Sequence, residues 1–116
     1  MKAAALIAGA ALLVDAAPAP AAEPRGKTVR IYDNYFLKDD ITVKRGAVVT
    51  WRWPGFDEAG DVHDVKLKSG PKGVKKFQSE AAATDYTYRR RLRVAGRYRI
   101  VCTLHEGMTM RIRVRR

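Results

Sequence analysis

Three side chains suited to a soft metal ion fall within seven positions near the C-terminus, in Cys102-Thr103-Leu104-His105-Glu106-Gly107-Met108. Cys102 is the only cysteine of the chain, and His105 is one of two histidines, the other being His63. One thiolate, two imidazoles and one thioether together suit copper, because sulfur ligands favour Cu(I) and imidazole accepts copper in either state. A trigonal arrangement of two His and one Cys with a long axial Met is the geometry that passes single electrons. Zinc also takes Cys and His, but Met is a poor zinc ligand and only three good donors would remain.

Taken singly, each residue has an ordinary explanation: His63 as the cap of a strand, His105 as an exposed loop residue, Met108 as core filling, Cys102 as a buried apolar side chain. Their joint occurrence reverses that judgement. The start of the chain adds weight, because Lys2, the apolar run Ala3 to Val14 and the Ala/Pro stretch behind it have the grammar of a secretory signal. That run is short for a bilayer span and Asp15 ends it, so a membrane anchor is the weaker reading. Residues 1–22 are expected to be a signal peptide and 23–116 a single mature domain, exported to the periplasm or the exterior. An exported protein normally pairs its cysteines, which a lone Cys102 cannot do within the chain.

The elements that must position these residues read as strands. Val29 and Ile31 alternate with polar neighbours, as do Ile41 and Val43, then Val49, Trp51 and Trp53. His63, Val65 and Leu67 alternate with Asp64, Lys66 and Lys68, and a Gly/Pro/Lys-rich loop follows. Tyr86, Tyr88, Leu92 and Val94 lead to a turn at Ala95-Gly96 and on to Tyr98, Ile100 and Cys102, and Met110, Ile112 and Val114 alternate with three arginines at the end. Short strands at this spacing predict an all-β sandwich. Ala81 to Thr84 is the one segment where a short helix or turn is expected.

From about Thr28 to Val114 the sequence resembles the plastocyanin and azurin (cupredoxin) family, and its ligand loop resembles the amicyanin branch. The resemblance is carried by Ile41-Thr42-Val43-Lys44-Arg45-Gly46, Val48-Val49-Thr50-Trp51, His63-Asp64-Val65 and the stretch from Gly96 to Met108. It implies a Greek-key β-sandwich of about seven to eight strands, one copper ion on His63, Cys102, His105 and Met108, and electron transfer rather than catalysis. Asp64 stands where the family often has an Asn bracing the ligand loop, which predicts a hydrogen bond from Thr103 to Asp64. Glu106 replaces a common Pro, and Met110 a common Gly. Met110 is the rival axial ligand; register favours Met108, because Met110 then begins the inward series with Ile112 and Val114.

The net charge of +11 survives loss of the signal, since Lys2 and Asp15 cancel. Arg89, Arg91 and Arg93 fall on one strand face and Arg111, Arg113 and Arg115 on another, with Lys66, Lys68, Lys72, Lys75 and Lys76 as a further cluster. The bland reading is a solvated surface. The sharper one is steering toward an acidic redox partner, or association with an anionic membrane surface, by a monomer. Nucleic acid is disfavoured because aromatic and basic residues are not interleaved. A copper carrier using the same ligands is the alternative function.

Overall fold

The structure is a computed structural model, and residues 24–116 of it are described; the expected signal segment lies outside them. Eight strands form, β1 (Lys27–Tyr32), β2 (Tyr35–Phe36), β3 (Asp40–Lys44), β4 (Val48–Arg52), β5 (Lys66–Ser69), β6 (Thr87–Arg91), β7 (Gly96–Val101) and β8 (Thr109–Arg115). They make two four-stranded sheets ordered β2-β1-β4-β6 and β3-β8-β7-β5, so the expected all-β sandwich is what folds. Both sheets are mixed: β1 runs parallel to β4 and β3 parallel to β8, while the other pairs are antiparallel.

Alternation drives this arrangement. In β8, Met110, Ile112 and Val114 are buried while Arg111, Arg113 and Arg115 face solvent, and the register sets Ile112 opposite both Ile41 and Tyr98. Val29 and Ile31 of β1 and Val49 and Trp51 of β4 supply the facing layer. A slip of one residue in any of these strands would expose its apolar set. Trp51, fully buried at the centre, packs near Phe77 and Tyr88 with ring centroids 6.3 and 6.0 Å away.

Two expectations are corrected. The helical turn lies at Phe56–Glu58, as 3-10 helix, and not at Ala81 to Thr84. Ala82 instead forms an isolated bridge with His63, which holds it extended, and only the turn half of the expectation is met, as the chain bends through Ala83, Thr84 and Asp85. The expected arginine face on β6 is also broken. Arg89 and Arg93 are exposed but Arg93 lies beyond the strand, and Arg91 turns in, its Nη1 donating to the Gly46 carbonyl at 2.8 Å.

Candidate metal centre

His63 reaches the site from the long connection between β4 and β5, three residues before β5 begins. Its backbone is fixed on both sides. Its N–H donates to Ala82 O at 2.9 Å, and its carbonyl accepts from Ala82 N at 3.0 Å and from the Trp53 indole at 3.1 Å. Cys102 follows the last residue of β7, and the loop from Thr103 to Met108 turns back into β8. That loop closes on itself: Cys102 N donates to Met108 O at 3.0 Å and Met108 N to His105 O at 3.3 Å. Gly107 takes the left-handed φ of 82° that this return needs.

Asp64 holds the loop from below. Its Oδ1 accepts from Thr103 N at 2.7 Å and its Oδ2 from Thr103 Oγ1 at 2.6 Å and Gln78 Nε2 at 3.1 Å. The expected Thr103–Asp64 bond is therefore present, and doubled. Burial alone would raise the carboxyl pKa, but the bonds from Thr103 and Gln78 outweigh it and hold Asp64 below the ordinary carboxylate value.

The three candidate donors of the two loops meet. His63 Nδ1 lies 3.2 Å from His105 Nδ1, and Cys102 Sγ lies 3.9 Å from the first and 3.6 Å from the second. A point equidistant from these three atoms is about 2.1 Å from each, within the roughly 2.0–2.3 Å of imidazole and thiolate bonds to a comparable ion, zinc. Two imidazole nitrogens this close, with sulfur beside both, need a proton or a cation between them. The donor set fits copper.

Each imidazole turns its other nitrogen to a carboxylate. His63 Nε2 lies 3.0 Å from Asp33 Oδ1, and His105 Nε2 lies 3.6 Å from Asp61 Oδ2. Asp33 sits in the β1–β2 hairpin, and the bonds from His63 and from Asp61 N–H hold its pKa below the usual range. A proton kept on His63 Nε2 leaves Nδ1 free as a donor to metal. Gly60 makes this possible, because a Cβ there would collide with both Asp33 carboxylate oxygens. Sequence reading missed Asp33, Asp61 and Gly60. Asp33-Asn34 reads only as a turn, and its link to His63 spans thirty positions with no local signal.

His63, Cys102 and Met108 are buried, while the His105 side chain keeps 23% of its surface exposed. The two methionines are told apart by their surroundings: Met110 Sδ accepts the Trp51 indole N–H at 3.3 Å, inside the sandwich.

Residues 27–115 match the family described as copper binding proteins, plastocyanin/azurin family. The chain belongs to this family. Copper is accordingly the metal, held in a cupredoxin fold. Amicyanin-alpha of Methylorubrum extorquens is 32% identical over 105 residues, which cover 90% of this chain and 81% of the relative. The amicyanin structure from Paracoccus versutus superposes with a TM-score of 0.64 at 28% identity, covering 85% of each chain. A copper-containing nitrite reductase from Thermus scotoductus gives 0.66 at 25% identity, covering 87% of this cupredoxin and only a quarter of the reductase chain.

Charge is unevenly placed on this cupredoxin. Residues 32–36, 53–65 and 102–108, which surround the site, contain Asp33, Asp57, Glu58, Asp61, Asp64 and Glu106 and no lysine or arginine. Basic residues flank these segments: Arg30 and Arg52 line a cavity with Tyr32, Trp53 and Glu58, and Lys66, Lys68 and Arg99 line a groove together with the ligand loop.

Proposed function

We propose that this protein is a one-electron carrier in which His63, Cys102, His105 and Met108 hold a single copper ion. The observation that carries the reading is the convergence of two Nδ1 atoms and one Sγ on a common point at bonding distance from all three. Met108 is assigned the axial place because it is buried at the end of the same loop, while the sulfur of Met110 is taken up by Trp51. When bound, copper supplies reversible one-electron chemistry between Cu(I) and Cu(II).

The chain's own part is to hold the donors still. The Ala82 bridge, the Trp53 indole and the Asp64 clamp fix His63 and the loop before any metal arrives. A frame that needs little rearrangement between oxidation states keeps the barrier to electron exchange low. His105 is the electron port, being the partly exposed member, with exposed Leu104 beside it. Four protein ligands leave no open position for a substrate, which argues for a carrier over an enzyme.

Residues 1–22 act as an export signal in this reading, and the mature protein works as a monomer in the periplasm or outside the cell. Net charge alone suggests an acidic redox partner. The charges nearest the port are the carboxylates of Asp33, Asp61 and Glu106, and they favour a partner that presents basic residues at the contact.

The test is an optical and EPR titration of the protein with Cu(II), expected to give an intense visible thiolate-to-copper band that saturates at one equivalent. Cys102→Ser should abolish the band while the fold persists. Folded, metal-loaded protein without the band would overturn the reading, and rapid loss of copper to an acceptor without electron exchange would favour the copper-carrier alternative.

A further inference from the structure

We propose that the outer face of the β3-β8-β7-β5 sheet binds an anionic phospholipid surface, through a lattice of arginines on β7 and β8. The register places Arg97 opposite Arg113 and Arg99 opposite Arg111, and all four side chains are exposed on the solvent side of the sheet. Like charges directly opposite one another across an antiparallel pair destabilise it. Two such pairs in succession are therefore a standing cost in the isolated protein. Little in the chain relieves it: among the described residues the only ion pair on this face joins Arg111 to Asp40, at 3.3 Å. Lys66 and Lys68 extend the positive field onto β5.

The chemistry of the face selects phosphate. Guanidinium offers a planar fork of donors that matches phosphate oxygens in pairs, and the four arginines are anchored at backbone positions about 4.8 Å apart across the strands and about 6.8 Å apart along them. The shape of the face selects a surface over a folded protein. Protein interfaces keep an apolar, often aromatic core inside a polar rim. The exposed large apolar side chains among the described residues are Tyr35, Leu37, Phe56, Val62 and Leu104, and none of them lies on these four strands. What the face offers is charge, with the four arginines lining one shallow groove together with Asp40 and Ser69. Lipid headgroups diffuse laterally and adjust to that fixed spacing, whereas a folded acidic partner would have to carry carboxylates in matching register.

The placement of opposite charge agrees with this. Carboxylates surround the copper end, so an anionic membrane that attracts the arginine face repels the end that carries His105. This inference rests on charge placement and stands apart from the electron-carrier reading.

The experiment is co-sedimentation of the protein with vesicles of phosphatidylcholine alone and of phosphatidylcholine mixed with phosphatidylglycerol, at low and at physiological salt. Binding is expected only with the mixed vesicles and should weaken as salt rises, since the screening length shrinks to about 8 Å at physiological strength. The double variant Arg97→Gln, Arg113→Gln should reduce partitioning by roughly twenty-five-fold, at about fivefold for each cation withdrawn from the surface. It should also raise the melting temperature at low salt, because a repulsive pair is removed. Arg30→Gln with Arg89→Gln, an equal change of net charge on exposed positions of the other sheet, should leave binding nearly unchanged. Equal losses from both double variants would assign the binding to net charge and overturn the proposal. So would binding to duplex DNA or an acidic protein with no binding to the mixed vesicles.

Discussion

The indole N–H of Trp51, in one sheet, donates to the sulfur of Met110, in the other, at 3.3 Å. This bond spans the sandwich and uses the one atom of Met110 that would otherwise reach a metal.

The two methionines should therefore respond differently to substitution. Met108→Gln is expected to shift both the reduction potential and the visible spectrum, as a change of axial ligand does. Met110→Leu should leave both in place and lower stability by about 1–3 kcal/mol, mainly through the orphaned indole N–H. Voltammetry and chemical denaturation separate the two effects. A moved potential in Met110→Leu with an unmoved one in Met108→Gln would transfer the axial role.

Asp33 and Gly60 act on the metal through His63. Asp33→Ala removes the acceptor that keeps the proton on Nε2, and loss of such a partner typically lowers metal affinity about 10–100-fold. The potential should rise as well, because a less basic imidazole stabilises Cu(II) less. Gly60→Ala pushes the same carboxylate aside and should reproduce both changes while leaving the net charge unaltered. If Gly60→Ala behaves like wild type in a competition titration, Asp33 does not position the imidazole.

The Asp64 clamp predicts an acid limit. Its folded-state pKa lies below the ordinary value of 3.8, so its ionised form contributes stability that is complete above that value and is lost as pH falls through the folded pKa. Stability of the metal-free protein should thus hold down to about pH 4 and decline below it. Asp64→Asn should flatten that acid decline, and should weaken the fold at neutral pH by about 1–3 kcal/mol through poorer pairing with Thr103. Denaturation midpoints across this pH range provide the check. An unchanged acid decline in the variant would place the titration elsewhere.

Glu106 lies in the ligand loop next to His105. Glu106→Gln should slow electron transfer with a redox protein that is basic at its own port, and salt should slow the wild-type reaction, with the copper spectrum unchanged in both. Stopped-flow rates at several ionic strengths decide this. Faster transfer in the variant would show that the partner is acidic at the port, the polarity that net charge alone suggests.

What could be read from the sequence is what repeats locally or is rare. The alternation of Met110, Ile112 and Val114 with three arginines fixed β8 and its buried face, and the ligand loop stood out because it holds the only cysteine and half the histidines. The Thr103–Asp64 bond was accessible because the family pattern marks both positions. Asp33, Asp61 and Gly60 were not, since their meaning depends on a hairpin folding back over His63. Ala81 to Thr84 misled because alanine favours helix, whereas Ala82 is held extended by two bonds to His63. The separation of charge also escaped a strand-by-strand reading. It emerges only when loops from three parts of the chain collect at one end.

The burial of Cys102, 5% exposed, also governs how the protein ages before it meets its metal. A disulfide requires two sulfurs about 2 Å apart with their Cβ atoms about 4 Å apart, and a thiol sunk beneath a closed loop cannot come that near to another chain. An oxidant that would cross-link exposed thiols therefore leaves the empty protein free of intermolecular disulfides and able to load. The walls that keep this thiol from other chains are His63, the Asp64-braced loop and the core beneath them, so any variant that loosens the loop should first appear as disulfide-linked dimers accumulating before copper is supplied.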